Sequence, residues 1–310
     1  FITHPQKLFW SYDSVFSFKI PGEFYEFPES GGMQLGVYAD MANGARYQLT
    51  RISTFGQLLN LSPKDYIDKI DSLLFENIPG KIEEEEHTTI SGYPAIRIKN
   101  KTKSGDNESY TIVVTPLEVL VFKVAGKKEF VNREEVKAFH ESITLKQPNG
   151  EWQNYSPANR AYTVSMPGMH VYESENTAIP AAYDRKTVQA YHSEKGYFVV
   201  LNRNYPDLSF MEEDSFELSQ MTRFFFKNVD FELKDWSHGE HQGYASYKAY
   251  AVNETGEELH TLALMAGNQY YLLAAKTDKE EDASRFQASF KVQPFAYQTP
   301  FTLQHDSARL

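Results

Sequence analysis

The sequence predicts an α+β protein: two copies of an α/β sandwich with a central antiparallel sheet and flanking helices. Three observations carry this reading. Apolar and polar residues alternate with a period of two through many short segments, as half-buried strands require. Stretches with apolar residues at helical spacing are interleaved with them. The whole order of segments then recurs about 150 residues further along the chain.

The first strand is "VFSFKIPGEF", which alternates before Pro21-Gly22, and "AYTVSMPGMH" does the same before Pro167-Gly168, 146 positions on. "GVYADM" and "RYQLTRIS" follow, joined across Asn43-Gly44, a hairpin signal because both residue types tolerate positive φ. Their counterparts are "TVQAYH", a turn over Ser193 to Gly196, and "YFVVLNR".

The segment "SPKDYIDKIDSLLFEN" reads as a helix with Ser62 as N-cap, Pro63 at the first helical position and Asp65 close to the unpaired amides. Ile67, Ile70 and Leu74 form its apolar face, and Leu218, Met221 and Phe225 repeat that face 151 positions on. Next comes "SGYPAIRIKN", which returns as "QGYASYKAYA". Ile96 and Ile98 point one way while Arg97 and Lys99 point the other, and Tyr247, Ala249 and Lys248 repeat the alternation. The matched Gly92-Tyr93 and Gly243-Tyr244 are packing and turn features, with the glycine supplying backbone freedom where the strand begins.

Turns at Gly105 and Gly256 lead into "TIVV" and "TLAL", then "VLVFKVA" and "YYLLAA", which read as antiparallel meanders. Closing helices "NREEVKAFHESI" and "KEEDASRFQASF" align Phe139 with Phe286. "KQPNGEWQNYSPANR" has the Pro, Gly and Asn content of a linker. The predicted organisation is an N-terminal extension over 1–11, one unit over 12–146, a linker over 147–156, a second unit over 157–295 and a tail over 296–310.

A formal charge of −11 with no offsetting Lys/Arg cluster repels phosphate backbones, so nucleic acid is not an expected partner. No run of eighteen apolar residues is available to span a bilayer. The absence of cysteine rules out disulfides, thiol nucleophiles and Cys-ligated metals. The chain begins at Phe1 rather than Met and ends in the polar "TPFTLQHDSARL". It reads as a piece of a larger exported protein, located outside the cytoplasm: periplasmic, envelope-attached or secreted.

Sites for chemistry are sparse. No G-x-S-x-G elbow is present, and Ser91 and Ser104 sit beside glycines in expected turns. Neither Gly-rich phosphate cradle occurs, so no cofactor is expected. The Glu83 to Glu86 run reads as a solvated turn, with cation binding as the alternative. The sharpest candidate metal group is His238, Glu240 and His241 in "DWSHGEHQGY", where imidazoles and a carboxylate could meet one divalent cation. The spacing is not the helical H-E-x-x-H, and the repeat places the pair on a turn around Gly239. In the first copy His87 matches His238, but Ile90 stands in place of His241, so no metal site is assigned. Tyr270 and Tyr271 of "NQYYLL", with Trp236, could stack on sugar rings if exposed. Because polar positions diverge between copies, with His140 matched to Gln287, twin ligand sites are not expected.

The order of strand, hairpin, helix, meander and closing helix resembles the PsbP-like fold. That family includes photosystem PsbP proteins, a Ran-binding nuclear-transport factor and bacterial DcrB-like lipoproteins. The resemblance rests on "FSFKIPGEF" and "YTVSMPGMH", "SGYPAIRI" and "QGYASYKA", and "FHESI" and "FQASF". It implies an α+β sandwich and no particular activity. The leading functional expectation is therefore a non-catalytic exported accessory module that binds a protein or cell-envelope component. A carrier of a small hydrophobic or glycan ligand is the alternative, and a metal-assisted hydrolase centred on His238 the second alternative.

Overall fold

Tight turns and long alternating segments dictate how this chain pairs with itself. The computed structural model describes residues 1–27, 33–54, 59, 61, 69, 78–157, 159–176, 184–205 and 212–293. Strands β1 (Lys7–Trp10), β2 (Phe16–Ile20), β3 (Tyr25–Glu26), β4 (Met33–Asp40) and β5 (Ala45–Ser53) come first. They are followed by β6 (Lys81–Ile90), β7 (Tyr93–Lys101), β8 (Asn107–Val114) and β9 (Glu118–Gly126), then helices α1 (Lys128–Val131) and α2 (Glu134–Glu141) and strand β10 (Thr144–Leu145).

The later part of the chain contains β11 (Trp152–Tyr155), β12 (Tyr162–Pro167), β13 (Met169–Asn176), β14 (Asp184–His192) and β15 (Gly196–Asn204), then helix α3 (Asp214–Asn228). Strands β16 (Glu232–His241), β17 (Tyr244–Val252), β18 (Glu258–Ala266) and β19 (Gln269–Lys276) lead to α4 (Glu280–Ser289) and β20 (Lys291–Val292).

All pairings are antiparallel. One seven-stranded sheet has the order β3-β4-β5-β9-β8-β7-β6, and the other has β13-β14-β15-β19-β18-β17-β16. Each is accompanied by a three-stranded sheet, β1-β2-β10 for the first and β11-β12-β20 for the second. At the outer edge of each large sheet, two residues with positive φ close a hairpin: Ser91 (50°) with Gly92 (82°), and Gln242 (56°) with Gly243 (81°). A two-residue loop with left-handed backbone matches the strand twist. The recurring Gly-Tyr pair is thus the second turn residue and the first residue of the next strand. Both edge strands also carry an irregularity near their start, between Ile82 and Glu84 and between Leu233 and Asp235.

The expected helix-flanked sandwich is overturned. Among the described residues the chain is dominated by four antiparallel sheets, and the helices are few and short. The reason lies in what covers the inward-facing side chains. Ile96, Ile98, Ile112 and Val119 of the first large sheet share one core cluster with Tyr197, Val199, Tyr247 and Leu272 of the second, so sheet packs on sheet. Helix α3 adds Leu218 and Phe226 to that cluster. Two outer cores complete the packing. Phe16, Phe18, Tyr47, Phe122 and Phe139 fill one beneath α2, with Phe18 and Phe139 rings 5.3 Å apart. Tyr162, Phe198, Phe286 and Phe290 fill the other beneath α4, with Phe198 and Phe286 rings 5.4 Å apart. Each buried ring contributes about 2–3 kcal/mol of transfer free energy.

The helix expected from Ser62 through Ile67, Ile70 and Leu74 lies outside the described residues, as does the 296–310 tail. Leu59, at its N-terminal side, is buried in the shared core. The Glu83 to Glu86 run forms part of β6 and not a turn, and His238, Glu240 and His241 belong to β16. No described helix is long and apolar enough to cross a membrane.

Candidate binding surfaces

The strand placement of "HGEH" decides what its side chains can do together. Side chains two apart share a sheet face and neighbours do not, so His238 and Glu240 lie on one face of β16 and His241 on the other. His238 packs against Tyr247, ring centroids 5.0 Å apart, on the face of the shared core. His241 instead donates from Nε2 to the Phe290 carbonyl at 3.0 Å, on the α4 face. The two imidazoles are turned to opposite sides of the sheet. His260 faces the α4 side as well, in ring contact with Tyr250 at 5.0 Å. Among the described residues no three His, Asp or Glu side chains are grouped to hold a metal ion.

Aromatic stacking surfaces are similarly reduced. Tyr270 and Tyr271 are buried because β19 is a central strand covered on both faces. Trp236 is exposed and stacks on Tyr247 with centroids 5.7 Å apart, a single ring and no platform.

A different surface emerges at the opposite edge of the first large sheet. Met33 pairs with Ile52, Leu35 accepts the Phe27 backbone N–H at 2.7 Å, and Tyr25 pairs with Val37. Cross-strand partners share a face. Tyr25, Phe27, Met33, Leu35 and Ile52 therefore form one contiguous apolar strip over β3, β4 and β5, each side chain between 36% and 61% exposed. The reverse face of the same strands is fully engaged. There Arg51 clamps Glu118 through two hydrogen bonds of 2.7 and 2.9 Å and reaches Asp13 at 2.7 Å. Burial opposes the charge on Asp13, but Arg51 holds its carboxyl below the ordinary range. Burial pushes Glu118 and Glu26 upward.

The third feature is a groove of about 690 Å³ between α2 and strands β6, β7 and β8. Arg97 and Lys99 of β7 and Thr111 of β8 line its floor, and His140 and Lys137 come from the helix. Lys99 Nζ lies 2.8 Å from Glu84, whereas Arg97 Nη1 is 3.8 Å from Glu86, beyond hydrogen-bond range. His140 Nδ1 is 2.8 Å from Thr111 Oγ1. Burial, then the charges of Arg97 and Lys99, lower the His140 pKa to about 3, so the ring is neutral at pH 7. A groove of about 460 Å³ occupies the corresponding place in the second sheet, between α4 and β16 to β18. Lys248, Tyr250, His260 and Gln287 are among its lining residues.

The apolar strip was not visible in the sequence, since "MQLGV" alternates like any half-buried strand. The groove had a signal in Arg97 and Lys99, which the alternation placed together on one face of the strand.

No family model matches the chain. No curated protein matches it either. Among solved structures, the cyanobacterial PsbP protein CyanoP from Synechocystis sp. PCC 6803 is 11% identical, covering 46% of this chain and 94% of its own at a TM-score of 0.36. The type VI secretion immunity protein TplEi from Pseudomonas aeruginosa is 12% identical, covering 94% of this chain and 98% of its own at a TM-score of 0.26. At these scores neither likeness assigns the chain a family.

Proposed function

We propose that this chain is a non-catalytic binding module, built from two copies of one unit, that engages a protein or cell-envelope partner through the apolar strip of β3, β4 and β5. One observation carries the reading: Tyr25, Phe27, Met33, Leu35 and Ile52 stand exposed together on one face of adjacent strands. An exposed contiguous apolar patch loses free energy to water, and covering it with a partner recovers about 25 cal/mol per Å² of apolar area. The same strand order in the two large sheets supports the duplication. Placement outside the cytoplasm belongs to this proposal and rests on the resemblance to PsbP-like and DcrB-like proteins.

The grooves beside α2 and α4 are walled mainly by charged and polar side chains, which suits a polar ligand better than an apolar one. A photo-crosslinking amino acid at Leu35, with one at exposed Lys234 as control, tests the binding reading in cells of the source organism. A discrete adduct at Leu35 alone is expected. Untagged parent protein should compete it away, and a Tyr25→Glu/Met33→Glu variant should not. Equal labelling at both positions, or equal competition by the variant, would overturn the assignment of this strip.

A further inference from the structure

Two residues that line the groove beside α2 each have a buried nitrogen without a hydrogen-bond partner, Nε of Arg97 and Nε2 of His140. Arginine Nε is always a donor. In the tautomer assigned to His140, the Thr111 hydroxyl donates to Nδ1 and the neutral ring carries its hydrogen on Nε2. Buried donors left without acceptors are rare, because each forfeits its bond to water, and they call for an acceptor from outside the chain.

The neighbouring carboxylates do not fill that need. Five glutamates line the groove with Glu83 among them: Glu84 is engaged by Lys99, Glu85 by His87 at 2.8 Å, Glu86 stands 3.8 Å from Arg97 Nη1 and Glu141 4.0 Å from Lys137, while Arg133 is held by Glu135 at 2.6 and 2.9 Å. We propose that this groove binds an oxyanion, a carboxylate or a phosphate, held by Arg97 Nε–H and His140 Nε2–H with the Lys99 ammonium beside them. A guanidinium and a neutral imidazole N–H on one anion give charge-assisted hydrogen bonds, about twice as strong as neutral ones. Glu84 and Glu86 at the rim select a ligand that carries positive charge next to its anion.

The corresponding groove of the second sheet lacks the guanidinium. Arg97 pairs with Thr111 across the sheet as Lys248 pairs with Leu262, which puts Lys248 in the place of Arg97. Lys248 is exposed, and Gln287 stands at the helix position of His140. The second groove has buried nitrogens without hydrogen-bond partners of its own, His260 Nε2 and Gln287 Nε2, but no guanidinium to make the charge-assisted bond, so the oxyanion is assigned to the groove beside α2. This inference is independent of the apolar strip, which lies on the other face of the sheet at its far edge.

The test is nuclear magnetic resonance of the ¹⁵N-labelled chain, following the Arg97 Nε–Hε cross-peak and the His140 ring nitrogens. Sodium acetate, sodium phosphate and sodium chloride are the three titrants. Saturable shifts of both signals with acetate or phosphate, and not with chloride, are expected. Whichever of the two saturates first identifies the source of the oxyanion. Arg97→Gln should weaken binding at least about tenfold, the worth of one charge-assisted hydrogen bond. His140→Gln, which installs the residue of the second groove, should weaken it as well, and Lys248→Gln should leave it unchanged. Shifts that track chloride without saturating, or a Lys248→Gln loss equal to that of Arg97→Gln, overturn the proposal. Retained cross-peak dispersion confirms that each variant is folded.

Discussion

Arg51 and Glu118 form a bidentate ion pair across β5 and β9, at the same diagonal register that Asn202 and Gln269 occupy across β15 and β19. Arg51 pairs with Leu120 and Ser53 with Glu118, as Asn202 pairs with Tyr271 and Asn204 with Gln269. In the second sheet the contact is neutral, with Asn202 Nδ2 donating to Gln269 Oε1 at 2.9 Å. One backbone arrangement thus supports a charged pair in one place and an amide pair in the other. Removing one member of a buried ion pair leaves an uncompensated charge, whereas replacing both with a neutral pair does not.

Glu118→Ala should therefore cost about 3–5 kcal/mol, because it strips the buried guanidinium of its bidentate partner. The double variant Arg51→Asn/Glu118→Gln, which copies the second sheet, should cost less than half as much. Urea unfolding of the two variants checks this. A double variant as unstable as Glu118→Ala would mean that the two registers are not interchangeable.

His140 makes stability depend on pH with a defined sign. Its ordinary value is 6.5, and burial followed by Arg97 and Lys99 lowers it to about 3 in the folded protein. Between these values the unfolded chain binds more protons, so the contribution is complete above about pH 6.5 and is lost as pH falls toward about 3. Glu135, held near 2 by Arg133, loses its contribution only below its ordinary 4.5. Between pH 6.5 and 4.5 Glu135 is silent, but His170, which burial also lowers, and Glu118 and Glu26, which burial raises, contribute as well, so the difference between parent and His140→Gln is what isolates this histidine. His140→Gln should flatten the fall in unfolding free energy there by up to about 1.4 kcal/mol per pH unit. An unchanged slope would show that the imidazole is already protonated in the folded state.

The parts of this structure legible in the sequence were those specified by neighbours along the chain. Phe139 and Phe286 were matched through helical spacing, and both sit fully buried beneath their helices. The turns at Gly92 and Gly243 were marked by residue type. Identity misled where strands slide. "TIVV" and "TLAL" aligned Thr111 with Thr261, but the pairing of Arg97 with Thr111 and of Lys248 with Leu262 makes Leu262 the counterpart. A slip of one residue exchanges the two faces, which is why Thr111 meets His140 while Thr261 lies against the shared core. Long-range relations were beyond local pattern altogether. Nothing near Arg51 in the chain announces Glu118, and alternation states which residues share a face without stating what covers it. The expected helical layers failed for that reason: the sheet faces are covered largely by each other.

The hairpin turns carry a backbone cost that only glycine avoids. Gly243 has φ of 81° with nothing within 4 Å of an added Cβ, so Gly243→Ala isolates conformational strain. It should destabilise by about 1–2 kcal/mol. Gly92→Ala should cost more, since its Cβ would stand 3.3 Å from the Gln147 side chain. Thermal unfolding ranks the two, and an equal or reversed order would contradict the contact.

The opposite orientation of His238 and His241 gives a prediction for zinc. Any zinc retained by one imidazole is expected to be insensitive to loss of the other, so His238→Ala and His241→Ala should act independently in elemental analysis after dialysis. His241→Ala should also lower stability by about 1 kcal/mol, because the Phe290 carbonyl loses a hydrogen bond. Loss of near-stoichiometric zinc in both single variants would require the two rings to meet, which their placement on β16 does not allow.

The last prediction concerns how tightly the two large sheets are coupled. Gln189 of β14 donates to Ser53 Oγ at 3.1 Å and to the Leu117 carbonyl at 3.3 Å, and it accepts from the Tyr197 hydroxyl at 2.5 Å. Leu117 is buried in the same cluster as Tyr197 and Val199, so apolar packing and a buried hydrogen-bond network bridge the sheets at one place. Separating them would expose Ile112, Val114, Val119, Val199 and Leu272 together and leave the Gln189 amide N–H groups without their acceptors. The intact chain is therefore expected to unfold in one cooperative transition, seen identically by tryptophan fluorescence and by far-ultraviolet circular dichroism. Leu117→Ala, which opens a cavity at the junction, should cost about 2–5 kcal/mol and lower both probes' midpoints together. Gln189→Leu should do the same on a smaller scale, since it removes the side chain that donates to Ser53 and Leu117 and leaves the buried Tyr197 hydroxyl without its acceptor. Two separated transitions in the parent chain, or a Leu117→Ala effect confined to one of them, would mean that the shared core does not couple the sheets and that each is stabilised by its outer core alone.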